Sequence, residues 1–193
     1  STLTDKIHQL AKVSNEIRNL PIANDCEFVK AQNNRKTKPI GHSLFEVATE
    51  WVGQIPMDLD EFLKILDRSK DNLRTSPGHG GFELGHLFEV EDRIGLIDGE
   101  LAGVRGAMYY DIAFFYNRLK NDFDNSALAQ QYLTYFYHLL TASEQKTFWE
   151  EIKPPLIVRY LGDLWGARKN KKRLAALEIL GKDILKDKIL ESN

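Results

Sequence analysis

The chain has one cysteine, Cys26, in 193 residues. No internal disulfide can form, which excludes a disulfide-stapled scaffold. There is no run of about 18 apolar residues and no basic-then-apolar stretch at the start, so neither a membrane-spanning helix nor a secretory leader is expected, and the chain reads as cytoplasmic. An excess of one charge is missing too: 26 Lys and Arg stand against 28 Asp and Glu, a formal net charge of -2. No global basic field draws the surface onto nucleic acid or anionic lipid, so neither is expected as a partner. No internal repeat is found. What is present is an ordinary globular composition, 42% hydrophobic and 28% charged, at a length that suits a single domain, 1–193, with a core of its own.

Apolar residues at Leu3, Ile7, Leu10, Ala11, Ile17 and Leu20 fall at helical spacing, with Thr4 available as an N-cap and Pro21 past the end. The polar, Lys-bearing stretch from Ile22 to His42 reads as a long surface loop, with a short extended piece at Glu27 to Val29. Three capping boxes follow the same i, i+3 rule, Ser43 with Glu46, Asp58 with Glu61 and Thr141 with Glu144, each opening a helix. Ser76 to Gly81 holds four Gly or Pro in six residues, which excludes a helix or a central strand. His86–Val90 and Arg93–Ile97 around Glu91-Asp92 make a hairpin. From Met108 onward the pattern is helical, with Pro154-Pro155 as a hard break between Ser143–Glu151 and Leu156–Leu164, and a last helix over Leu174–Leu190. The fold class is therefore mainly α with one small hairpin.

The segment 79–111 carries the chemistry. It orders a His79-Gly80 loop, a hairpin, a Leu96-Ile97-Asp98-Gly99-Glu100 turn and a Tyr110-Asp111-Ile112-Ala113 helix start. This order resembles the aminoglycoside phosphotransferase family, the small-molecule branch of the protein-kinase-like fold. There a His-Gly-Asp-x-x-x-x-Asn loop, a hairpin, an Ile-Asp turn and a Tyr-Asp-Leu-Ala helix follow one another. The resemblance implies a helical larger lobe and transfer of the γ-phosphate of ATP or GTP to a hydroxyl of a small molecule. It also implies Mg²⁺ or Mn²⁺ held at Asp98 with His86 beside it, and support of the loop by Asp111. Phosphoryl transfer asks a protein mainly to position the acceptor and neutralise phosphate oxygens, a task an Asp at a hairpin mouth suits.

Two positions depart from the family pattern. Gly81 stands where the catalytic Asp is expected, and His86 where the metal-binding Asn is expected. Glu83 is then the nearest carboxylate that can serve in place of the missing one, and a kinase-like module that binds without turnover is the alternative function. His79 reads as a buried, hydrogen-bonded brace. Glu100 either assists Asp98 or is solvated. Tyr109, Tyr110, Phe114, Phe115 and Tyr116 read as core. A zinc site from His79, Glu83 and His86 is a rival reading that lacks the spacing of two His on one helix. Arg168, Lys169, Lys171, Lys172 and Arg173 read as a solvated helix entry. Acidic residues suited to a cationic acceptor are Asp122, Asp124, Glu144, Glu150, Glu151 and Asp163. Neither the glycine-rich phosphate cover nor the Lys of the family's smaller lobe is found before His79. With the opening at Ser1, that leads to the expectation of a larger-lobe piece, inactive alone, whose partner is a missing N-terminal lobe, the alternative being a stand-alone larger lobe.

Overall fold

The computed structural model describes residues 2–23, 26–27, 29–30, 38–121, 125–187 and 189. Helices dominate: α1 (Leu3–Arg18), α2 (Ile40–Val52) and α3 (Asp60–Ser69) precede the strands, and α4 (Tyr110–Asn121), α5 (Ser126–Leu139), α6 (Ala142–Ala167) and α7 (Lys171–Leu185) follow them. Among the described residues four short strands form two antiparallel pairs. β1 (Thr75–Gly78) pairs with β4 (Gly103–Ala107), and β2 (Leu87–Val90) pairs with β3 (Arg93–Leu96) in the expected hairpin. Among the described residues no helix is long and apolar enough to cross a membrane.

The helix starts show which local signals prevail. The box of α1 is Thr2 with Asp5, not Thr4, because Thr4 has no acidic residue three positions on to answer its own amide. α2 begins at Ile40 after Pro39, a turn before the Ser43–Glu46 box. Gly41 permits that early start, since a Cβ there would strike the backbone of Lys70 at the end of α3. α3 opens at Asp60, whose N–H donates to Asp58 Oδ1 at 3.2 Å, so Asp58 acts through a tight turn in place of the expected box. Only the Thr141–Glu144 box forms as read. Glu27 and Val29 are helical where an extended piece was expected, and the Lys30 N–H donates to the Cys26 carbonyl at 3.0 Å. Most of the Lys30–Lys38 stretch lies outside the described residues, as do Asp122 and Asp124.

The expected break at Pro154-Pro155 does not occur, since α6 runs through both prolines. Phe148, Ile152, Leu156, Ile157, Leu161 and Leu164 of this helix are fully or almost fully buried. That apolar contact with α2, α3, α4 and α7 offsets the two lost amide donors. β4 carries no strand signal of its own, its Gly-Val-Arg-Gly-Ala forming a strand only because β1 lies beside it. β1 accommodates Pro77 because it is an edge strand, with a register break between Ser76 and Gly78.

The core is aromatic. Phe82, Phe115, Tyr132, Phe136 and Phe148 are completely buried, and Tyr109 and Tyr116 nearly so. Within it, Ser14 Oγ donates to the Leu10 carbonyl at 2.9 Å, which leaves Tyr132 as the donor in their 2.7 Å contact between α1 and α5. Burial raises the phenols of Tyr109 and Tyr160 from their ordinary value near 10 to about 12, and those of Tyr116 and Tyr132 further still. The unfolded chain therefore releases phenolic protons at lower pH than the folded one. Stability is full below pH 10 and falls as pH rises from 10 toward about 12, which denaturant titrations across that range will show. Phe115→Ala, which empties a site between Phe82 and Tyr132, is expected to cost about 3–5 kcal/mol in the same assay at neutral pH.

Candidate functional site

Asp111, in the first turn of α4, is buried and points back at the loop that follows β1. Its Oδ2 accepts the His79 N–H at 2.6 Å and its Oδ1 accepts the Gly80 N–H at 2.8 Å. Burial pushes this carboxyl above the ordinary carboxylate range, while the N–H bonds from His79 and Gly80 pull the other way. Two left-handed residues make the meeting possible. Gly80, at φ 79°, lies so close to Leu101 that no side chain fits. Tyr109, at φ 64°, turns the chain from β4 into α4, and its ring packs edge-to-face on Phe136 and Phe148 to hold a backbone conformation that bulky residues avoid.

The hairpin delivers the remaining groups. The Ile97 N–H donates to the His86 carbonyl at 3.0 Å, which closes the base of β2 and β3 and brings Asp98 beside His86. Asp98 is itself left-handed at φ 64°, and its side chain is about half exposed at 48%. His79 is buried, and its Nε2–H donates to the Ile97 carbonyl at 3.0 Å, as expected of a brace. His86 Nδ1 lies 2.7 Å from the Gly81 carbonyl, and its Nε2 lies 3.0 Å from Asp98 Oδ2 and 3.7 Å from Glu83 Oε1. A carbonyl can only accept, so Nδ1 carries the hydrogen that meets Gly81, and Nε2 is the nitrogen that faces the Asp98 and Glu83 carboxylates.

Glu83 does not turn into the place left by Gly81. Its Oε2 pairs with Arg118 Nε at 3.1 Å. Arg118 also lies over the Phe114 ring, 5.0 Å from its centroid, and 4.0 Å from Asp163 Oδ1. A row of ionisable side chains thus runs from α6 to the hairpin, through Asp163, Arg118, Glu83, His86 and Asp98. A Cβ at Gly81 would lie 3.5 Å from His86 Nδ1 and 3.8 Å from His79 Nδ1, so the position is roomy enough for a side chain. Arg118 is the residue that motif reading missed. Its signal is the seven-residue spacing from Asp111, two helical turns, which puts both on one side of α4.

Two donor atoms stand where the metal ion is expected, Asp98 Oδ2 and His86 Nε2, 3.0 Å apart. Among the described residues no three His, Cys, Asp or Glu side chains gather as a metal-binding group, which also leaves the zinc reading of His79, Glu83 and His86 without support. Glu100 is exposed in the short turn Gly99–Leu101. Of the acidic residues expected for a cationic acceptor, Asp163 is buried and accepts the Asn121 amide at 3.1 Å, Glu144 pairs with Arg18, and Glu151 pairs with Arg74, so these serve the fold. Glu150 is exposed on α6. The basic cluster is a helix entry as read: Arg168 stacks on Trp165 at 4.2 Å, and Asn170 Oδ1 accepts the Arg173 N–H to cap α7.

Compared with known proteins, the chain matches no family model, no curated protein and no solved structure.

Asp111→Ala strands two N–H groups, one buried and one partly buried, and is expected to cost about 3 kcal/mol, with faster hydrogen exchange at the His79 and Gly80 amides. Asp111→Asn, which retains one acceptor oxygen, is expected to lose less in both measurements.

Proposed function

We propose that this chain is the larger lobe of a kinase-like phosphotransferase resembling the aminoglycoside phosphotransferases, acting on a hydroxyl of a small molecule with ATP or GTP as donor. The observation that carries the reading is the grip of Asp111 on the backbone of His79 and Gly80, which sets the loop opposite the Asp98 turn. The two-stranded pairings around the loop support it, because β1 with β4 and β2 with β3 keep the loop, the hairpin and the turn on one edge. In this reading His79 and Asp111 fix the loop, His86 orients Asp98, and the acceptor hydroxyl enters above Gly81.

A second reading, a lobe that binds a nucleotide without turning it over, is favoured by one observation. Gly81 has no group to accept the acceptor's proton, and Glu83 is held by Arg118. Thermal unfolding of the full-length protein with ATP and with GTP, each with and without Mg²⁺ or Mn²⁺, tests both. Stabilisation growing with ligand, about 2.7 kcal/mol at a hundredfold excess over Kd, is expected for either nucleotide reading and is lost in Asp98→Ala. No shift in the intact protein, or one that Asp98→Ala leaves unchanged, sinks both. Turnover that Gly81→Asp barely alters favours the kinase, and turnover that appears only in Gly81→Asp favours the binding module.

A further inference from the structure

Two guanidiniums share the ring of Phe114, a buried residue of α4. Cζ of Arg118 lies 5.0 Å from the ring centroid, and Cζ of Arg159, which comes from α6, lies 3.9 Å from it. The two cations differ in what neutralises them. Arg118 meets Glu83 at 3.1 Å and Asp163 at 4.0 Å. Among the described residues Arg159 meets no carboxylate: it donates to the Tyr110 hydroxyl at 3.3 Å, and its Nε is buried without a hydrogen-bond partner. A guanidinium carries more donors than one hydroxyl can accept, and a second cation on the same ring adds a repulsion that an anion offsets. The place adjoins the loop. Tyr110 precedes Asp111 and lines, with Gly80, a small cavity against it, while Glu83, two positions past Gly81, holds the far end of the same Tyr110–Phe114–Arg118 stripe of α4. Arg159 is itself partly exposed, so a ligand can reach it.

We propose that Arg159 receives a carboxylate carried by the small-molecule acceptor, which makes the acceptor a hydroxy acid and not a cation. The flat fork of a guanidinium matches the paired oxygens of a carboxylate, and the face of Phe114 holds that fork in place. Tyr110 is a positioning residue: its hydroxyl takes one N–H of Arg159 and leaves the others to the ligand. The carboxylates nearest the stripe, Glu83 and Asp163, already face Arg118, so they leave the charge of Arg159 to be met from outside. That the carboxylate belongs to a phosphoryl acceptor rests on the phosphotransferase reading; the anion site itself rests on the surroundings of Arg159 alone.

The test titrates the full-length protein with glycerate, glycerol and ethanolamine, hydroxylated probes of negative, zero and positive charge, and reads Kd by NMR in the wild type, Arg159→Gln and Arg159→Lys. Glycerate is expected to bind the wild type at least about tenfold more tightly than either other probe, with the margin lost in Arg159→Gln and only partly kept in Arg159→Lys, which retains the charge without the fork. Glycerate binding no tighter than glycerol, or a margin that survives in Arg159→Gln, overturns the proposal. Should Arg159→Gln not fold, Arg159→Lys decides: weaker glycerate binding supports the proposal, and a Kd equal to that of the wild type overturns it. A loss of ATP stabilisation in Arg159→Gln with glycerate affinity unchanged assigns the guanidinium to a donor phosphate and overturns it as well. If glycerate binds through Arg159 while no nucleotide stabilises the wild type, the phosphotransferase reading fails and the carboxylate site stands; if nucleotide stabilises the protein and glycerate does not bind, the reverse holds.

Discussion

One buried carboxylate organises the functional face of this molecule. Asp111 sits at the start of α4 with its two oxygens on consecutive backbone N–H groups of a loop more than thirty positions earlier in the chain. A charge in that setting is costly, and the burial that raises its pKa is the measure of that cost. The cost is offset because the loop would otherwise leave its own amides unpaired beside an aromatic core. Carboxylate and loop therefore satisfy each other, and neither arrangement is stable alone. The left-handed turns at Gly80 and Tyr109 are geometric consequences of bringing the two together.

Beside that anchor a row of ionisable side chains runs from Asp163 through Arg118 and Glu83 to His86 and Asp98. A near-zero net charge is the global expression of a local habit, since Arg118 beside the loop is matched by neighbouring carboxylates. Arg118 is central to this because a planar guanidinium can rest on Phe114 and still reach Glu83. Acidic residues that composition offers to a cationic acceptor are instead consumed by caps and internal pairs. A carboxylate counted in a sequence is a charge; in a fold it is first a hydrogen-bond acceptor in search of donors.

Much of the architecture was legible from the residues. The helical periods of α1 and α3, the Glu91-Asp92 hairpin and the capping box of α6 rest on local rules that tertiary contacts reinforce. The loop, turn and helix-start motifs were legible as an order, and the structure places them side by side. Other features were hidden because they depend on partners distant in sequence. β4 exists because β1 lies beside it, α6 crosses two prolines because it is surrounded on several sides, and α2 starts early because Gly41 lets it touch α3. The roles of Glu83 and His86 were out of reach for the same reason: which acceptors surround an imidazole is decided by the closure of the hairpin, and no spacing rule encodes it.

The two-stranded ribbon of β1 and β4 has a consequence for how copies of the chain meet one another. An unprotected strand edge is a template onto which a second molecule can add its own strand, and such additions propagate into aggregates. Pro77 deprives β1 of an amide donor in the middle of its four residues, and the register break beside it interrupts what remains. The same residue that makes the segment look unfit for a strand leaves the ribbon a poor seed for self-association.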